Sequence, residues 1–299
     1  MSQYFGGIEA GGTKFVCGIG KGDGKIIHQI SIPTGKPETT IPLVTDFFLR
    51  KTKDLNLLAI TLGCFGPIDM RKDSPEYGQI KETNKREWVN YPILREISNR
   101  LNLPVFLETD VNIAVIGEYL WGSGKGINNL LYLTVGTGIG GGILINGKSI
   151  PTFNHQEMGH ISIPISHDSK NLKNICHFHE KCLEGYASGY SLKKRWKVDS
   201  LKNLPIGHEI WEEESELLGK AILSYIYCFS PQKIILGGGV INKEGIINKV
   251  IENVVKYNNN YTQLPEKMDE FIVKASLHGN SALLGAISLA KELKENDKK

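Results

Sequence analysis

The sequence predicts an α/β protein built as two lobes of like kind. Residues 4–20 and 130–145 each read as strand, glycine turn, strand, and each runs into a tight turn (KGDGK at 21–25, NGK at 146–148). After each hairpin, helix-length and strand-length apolar segments alternate, the pattern of a sheet covered by helices. At 299 residues the chain is also long enough for two cores rather than one.

The first hairpin is followed by a strand at 26–30 (IIHQI), whose β-branched residues suit a pleated surface. A helix over 41–51 and a strand over 57–63 come next, then a loop, a short helix over 91–100 and a strand over 105–108. A helix begins at Asp110 and runs to 120. The chain is expected to cross between lobes at the glycine-rich 122–126 (GSGKG), which divides it into 1–121 and 122–299. Beyond the second hairpin, helices over 212–228, 244–257 and 281–294 alternate with strands over 233–236 and 271–274.

Charge and composition narrow the function. The 35 basic and 32 acidic residues leave a net charge of +3, with no basic stripe to imply a nucleic-acid partner. The first twenty residues lack a charged start followed by an apolar stretch, and no run of about 18 apolar residues is present to span a bilayer. A cytoplasmic protein with no membrane partner is expected. Cys17, Cys64 and Cys228 sit singly in apolar runs and read as buried free thiols.

Two phosphate-binding patterns in the second hairpin are accidental. Gly136, Gly138 and Gly141 satisfy G-x-G-x-x-G, and residues 142–149 (GILINGKS) satisfy the P-loop pattern. Both require a helix directly after the glycines, because its N-terminus holds the anion. Here a β-type run (143–145) follows, then a two-residue turn, and Pro151 obstructs a helix. Thr137, among unhindered amides, still suits phosphate oxygens.

Residues 176–184 (CHFHEKCLE) place Cys176, His179 and Cys182 three residues apart, so one turn can aim all three at a point. His160 offers a fourth donor and would close a tetrahedral zinc site. The alternative is a Cys176–Cys182 disulfide with surface histidines. Asp110 has two readings on pattern alone. Following a strand and opening a helix, it projects toward the cleft between lobes, where open α/β sheets bind ligands, and can serve as a general base; it can equally be an N-cap.

These motifs in this order resemble the ROK (repressor/open-reading-frame/kinase) family, over roughly residues 6–285. The residues that carry the resemblance are 8–15 (IEAGGTKF), 109–112 (TDVN), 134–142 (TVGTGIGGG), 157–160 (EMGH), 176–184 and 236–240 (LGGGV). The form of 8–15 and 176–184 is similar to the family's bacterial zinc-containing fructokinases. The resemblance implies a two-lobed actin-like ATPase (ribonuclease H-like) fold with the active site in the inter-lobe cleft, and ATP- and Mg2+-dependent phosphorylation of a hexose, D-fructose first. It makes Asp110 the catalytic base. It assigns Gly11, Gly12, Thr13, Lys14, Thr137, Gly138, Gly189, Gly237, Gly238, Gly239 and Val240 to ATP, and Gly66, Thr109, Asp110, Glu157, His160 and Glu184 to the sugar. His160 would serve zinc through one ring nitrogen and sugar through the other. Glu9 would touch Mg2+ through water. One structural Zn2+ and a homodimer are implied as well.

The chain departs from the family's fructokinases at 81–88 (KETNKREW), where they carry a T-P-K-x-G-W segment, and at Tyr190, where a proline often follows A-S-G. The first departure bears on the preferred hexose. Glucokinase, mannokinase and N-acetylhexosamine kinase are the rival activities, although many of these carry a three-cysteine C-x-C-G-x-x-G-C variant that is lacking here. A sugar-sensing protein without catalysis is a further class; with the first hairpin beginning by Gly6, no helix-turn-helix is expected ahead of it. A zinc hydrolase would need an open metal position, whereas four protein ligands imply a closed one.

Overall fold

The computed structural model describes residues 2–150, 154–165 and 172–297. The glycine-bent start of the chain is a hairpin: β1 (Gln3–Ala10) pairs antiparallel with β2 (Lys14–Gly20), Ala10 opposite Phe15. β3 (Ile26–Pro33) adds antiparallel to β2, while β4 (Asn56–Cys64) and β5 (Val105–Thr109) add parallel on the other side, giving the order β3-β2-β1-β4-β5. Parallel neighbours need crossovers. These contain α1 (Pro37–Thr52) and α2 (Ile93–Leu101). α1 buries Ile41, Val44 and Phe48, one face at helical spacing, and α2 buries Ile93, Ile97 and Leu101 likewise. They join Ile8, Phe15, Ile60, Leu62 and Trp88 in one core. α1 begins four residues before the predicted start because Pro37 suits the first helical position and the Lys36 carbonyl accepts from the Thr40 amide at 2.9 Å.

α3 (Asp110–Trp121) follows β5 directly. Here the predicted domain boundary is corrected. The chain forms two compact units, one of residues 1–128, 142–156 and 276–299, the other of 129–141 and 157–275. The terminal α9 (Ser281–Asn296) therefore belongs with the first sheet, packing against β1 and α3, and the chain does not divide once at 121/122. Two glycines permit the α3–α9 approach. A methyl group at Gly117 would collide with the Ser281 carbonyl, and one at Gly285 with the Ile113 carbonyl. Where the helices meet, the buried Glu118 carboxylate accepts from the Ser281 hydroxyl at 2.6 Å and the Ser123 amide at 2.8 Å.

Gly285→Ala is therefore expected to destabilise the protein. Alanine gains about 1 kcal/mol of helix propensity over glycine, but overpacking costs about 1–3 kcal/mol, and the obstacle here is main chain that no rotamer change can move. A lower urea midpoint than wild type is the expected result; an unchanged or higher midpoint would show that the two helices separate freely at this point.

The second sheet is built on β6 (Leu130–Val135), β9 (Lys233–Gly237) and β10 (Ile272–Lys274), all parallel, with β7 (Ile139–Ile145) beside β6 in the order β10-β9-β6-β7-β8. β7 and the short β8 (Lys148–Ser149) are antiparallel across Asn146 and Gly147, whose φ angles of 54° and 72° are those of a type I′ hairpin turn. No helix follows the glycines as far as Ile150, as the rejection of the P-loop reading requires; Pro151 lies outside the described residues. α6 (Glu209–Phe229) packs on α7 (Ile246–Asn258). Three helices were not foreseen: α4 (Leu183–Ala187), α5 (Gly189–Trp196) and the single turn α8 (Met268–Phe271). Cys17 and Cys64 are buried thiols as expected, but Cys228 is exposed, because it lies in the last turn of α6 among the exposed Tyr227 and Phe229. No helix among the described residues is long and apolar enough to cross a membrane.

Candidate active site

The predicted residues fall into two groups, one on each unit. On the first, the turn at 11–13 is closed by the Gly11 amide donating to the Lys14 carbonyl at 3.1 Å, and pinned from outside by the Thr34 hydroxyl donating to the Gly11 carbonyl at 2.7 Å. Gly12 is half-buried and Thr13 and Lys14 are exposed, so the turn presents a hydroxyl-bearing residue and a cation to solvent. Gly66 follows β4 and joins Pro67 through a cis peptide bond.

Asp110 occupies the first position of α3 rather than its cap. The cap is Thr109, whose hydroxyl accepts from the Asn112 amide at 3.1 Å and whose side chain is buried. The capping alternative for Asp110 is thus corrected, and Thr109 acts on the site by setting where Asp110 stands. Asp110 Oδ1 accepts from the Val111 amide at 2.9 Å and lies 3.4 Å from His155 Nε2, while Oδ2 has no partner among the described residues. The carboxylate is 26% exposed and the imidazole 6%. Glu9, at the end of β1, is close enough to feel Asp110. Burial and then the Asp110 charge push its pKa up to about 7, with Lys14 acting the other way. Glu9 Oε2 is buried without a hydrogen-bond partner among the described residues.

The 81–88 segment packs on this hairpin. Trp88 is fully buried, stacks on Phe15 at 5.4 Å and donates from Nε1 to the Gly35 carbonyl at 2.9 Å. Its neighbour Lys85 brings Cε to 4.0 Å from the point a Gly12 Cβ would occupy. His155 and Lys85 are two residues beside this group that the sequence reading did not single out. Lys85 lies within the 81–88 segment already singled out, whereas His155 stands two residues before the 157–160 motif and outside it.

On the second unit two carboxylates and a group of thiol and imidazole donors converge on His160. Its Nδ1 lies 3.2 Å from His179 Nδ1 and 3.9 Å from Cys176 Sγ, while its Nε2 lies 3.7 Å from Glu184 Oε1 and 3.9 Å from Glu157 Oε2. One ring nitrogen thus faces the thiols and the second imidazole, and the other faces the two carboxylates. Ligand atoms of His160, Cys176, His179 and Cys182 all fall within 4.8 Å of one another. Both thiols are free, so no Cys176–Cys182 disulfide forms. Two thiols and two imidazoles so gathered are a donor set for one borderline-soft cation. Cys182 also caps α4, its sulfur accepting from the Gly185 amide at 3.4 Å, which puts Glu184 in that helix's first turn.

Glu184 connects this cluster to the second hairpin, since Oε2 accepts from the Ile139 amide at 2.8 Å. Gly189, at the start of α5, donates to the Gly136 carbonyl at 2.7 Å, and a methyl there would meet Val240 Cγ2 at 3.2 Å. Gly189 and Val240 are thereby gathered around the 136–138 turn that carries Thr137 and Gly138. Gly237 ends β9, and a 3-10 turn at Val240–Asn242 fills the gap between the three glycines and α7, which begins at Ile246, two residues after the expected start.

The chain has close relatives of known name. It is 38% identical to a fructokinase from Lactococcus lactis subsp. cremoris, over 98% of this chain and 99% of that protein. It is 35% identical to a fructokinase from Pediococcus pentosaceus, over 98% and 100%. Among solved structures, a ROK hexokinase from Thermus thermophilus superposes with a TM-score of 0.77 at 26% identity, covering 98% of this chain and 99% of that one, and the fold is the actin-like ATPase (ribonuclease H-like) fold. The ROK family model matches residues 5–293, virtually the whole chain, and the protein belongs to the ROK family.

Proposed function

We propose that this protein is a sugar kinase that transfers the γ-phosphoryl group of ATP to a hexose, converting D-fructose to fructose 6-phosphate. Full-length identity of 35–38% to proteins named fructokinases carries the choice of fructose. Within the site, the observation that carries the chemistry is Asp110, relieved of capping by Thr109 and left with Oδ2 open. In phosphoryl transfer the protein chiefly aligns the acceptor hydroxyl and receives its proton; Asp110 Oδ2 is that acceptor.

The Gly12 and Thr13 main chain, in a turn shaped by Gly11 and with the charge of Lys14, holds the terminal phosphates, and Thr137 and Gly138 are the phosphate donors of the second unit. Gly189, Gly237, Gly238, Gly239 and Val240 surround adenosine. Glu157, Glu184 and His160 Nε2 bind sugar hydroxyls, and on the first unit Gly66 and Thr109 are the sugar-side residues. The orphaned Glu9 Oε2 fits a water of the Mg2+ shell, since a hard cation keeps several waters, and the cation lowers the charge repulsion that phosphates meet. Zinc fits the set His160, Cys176, His179 and Cys182, in a closed structural role. A cytoplasmic homodimer completes the reading, the location following from the need for ATP and the dimer from the family resemblance.

Turnover with ATP and Mg2+ across fructose, glucose, mannose and N-acetylglucosamine tests it. Fructose is expected to give the highest kcat/KM, with phosphate on O6. A lead for glucose or mannose would transfer the assignment to that sugar, and failure with every hexose would replace the kinase by a sugar-sensing protein.

A further inference from the structure

Asp110 Oδ1 and Oδ2 differ in a way that the capping geometry alone does not produce. Both contacts that the carboxylate makes with the protein go to Oδ1, one from the Val111 amide of its own helix and one with His155 Nε2 from a segment 45 residues away. The imidazole is almost wholly buried, whereas the carboxylate it meets is a quarter exposed. Its backbone is anchored as well. The preceding Asn154 forms a bridge with Asp69, and Asp69 is buried, receiving Arg71 Nη2 at 2.6 Å and the Ser74 hydroxyl at 2.9 Å. A buried ring on a fixed backbone can hold a partner to one rotamer.

We infer that His155 is a positioning residue for the general base: neutral, with its proton on Nε2, it donates to Asp110 Oδ1 and fixes the carboxylate plane so that Oδ2 faces the sugar hydroxyl. The inference rests on the kinase reading given above. The separation of 3.4 Å is long for a hydrogen bond, and catalytic hydrogen bonds often tighten only in the complex with substrate. Val111 restrains Oδ1 only relative to its own helix, whereas His155 adds a second contact to the same oxygen from a separate segment. Alignment matters here because a misplacement of about 1 Å can cost about 100-fold in rate.

The test uses the full chain. His155→Ala is expected to lower kcat about 10- to 100-fold while KM for fructose changes by less than about three-fold. His155→Gln, which offers an N–H at a similar reach to Nε2, is expected to recover a large part of kcat. A purely structural histidine would be served equally well by any side chain that restores the melting temperature, so rescue by glutamine together with the kcat–KM split marks positioning. Unchanged kcat in His155→Ala overturns the inference, as does a loss confined to KM, which would make His155 a sugar contact. Histidine side-chain 15N resonances give a readout without turnover: the signal absent from His155→Gln is expected to move in Asp110→Ala, and an unmoved signal overturns the contact. Should wild type phosphorylate no hexose, the kinase reading falls, and the resonance still decides whether His155 holds Asp110.

Discussion

Asp110→Asn is expected to lower kcat for fructose phosphorylation about 100-fold or more while leaving fructose binding nearly intact. Asparagine keeps the shape, and its carbonyl oxygen can still accept from the Val111 amide that now bonds Oδ1. What it cannot do is take a proton at the second position. The sugar hydroxyl then loses its proton acceptor as the phosphoryl group arrives, which raises the barrier by about 2.7 kcal/mol for each 100-fold. The change also removes one of the two causes that raise Glu9, so the Glu9 pKa is expected to fall from about 7 toward the usual carboxylate range. Separate measurement of turnover and of fructose affinity decides the matter. Retained turnover with collapsed binding would make Asp110 a sugar ligand and place the base elsewhere.

Both hairpins were readable from the sequence because glycine and threonine at fixed offsets leave few alternatives for a bend between two β-type runs. The same local grammar rejected the P-loop match at 142–149, where Asn146 and Gly147 demand a hairpin turn. Contacts between distant segments were not readable. Gly117 and Gly285 each look like an ordinary helix glycine, and only their opposition across α3 and α9 shows that the last helix returns to the first sheet. α4 and α5 escaped notice because they are short and interrupted by Ser188 and Gly189, so neither completes the periodic stretch by which a helix is recognised. Asp110 was found by its place after a strand, yet the choice between base and cap required knowing that Thr109 supplies the cap. His155 lay in plain view beside Glu157, but its partner is 45 residues earlier in the chain.

Preparation without chelators is expected to yield one zinc per chain, and loss of Cys182 to cost both the metal and the sugar. The donors are already gathered within 4.8 Å, as a four-coordinate site with Zn–N and Zn–S bonds of about 2.0–2.3 Å requires. Without metal, burial and the adjacent Cys176 push the Cys182 thiol up to about 12, the Gly185 amide opposing them. Metal must therefore displace a tightly held proton, and zinc affinity is expected to weaken as pH falls. The effect reaches the sugar by a short path. Cys182 caps α4, Glu184 stands in that helix's first turn, and His160 turns its other nitrogen toward Glu184 and Glu157. Cys182→Ser removes a thiolate ligand but keeps a cap, so it separates metal loss from helix loss. It is expected to reduce bound zinc and to weaken fructose binding about 10-fold or more, with the melting temperature of the rest of the chain little changed. Elemental analysis and calorimetric titration with fructose are the measurements. Zinc well below one per chain in wild type, or undiminished fructose affinity in Cys182→Ser, would detach the cluster from the sugar and leave Glu184 to be held by the Ile139 amide alone.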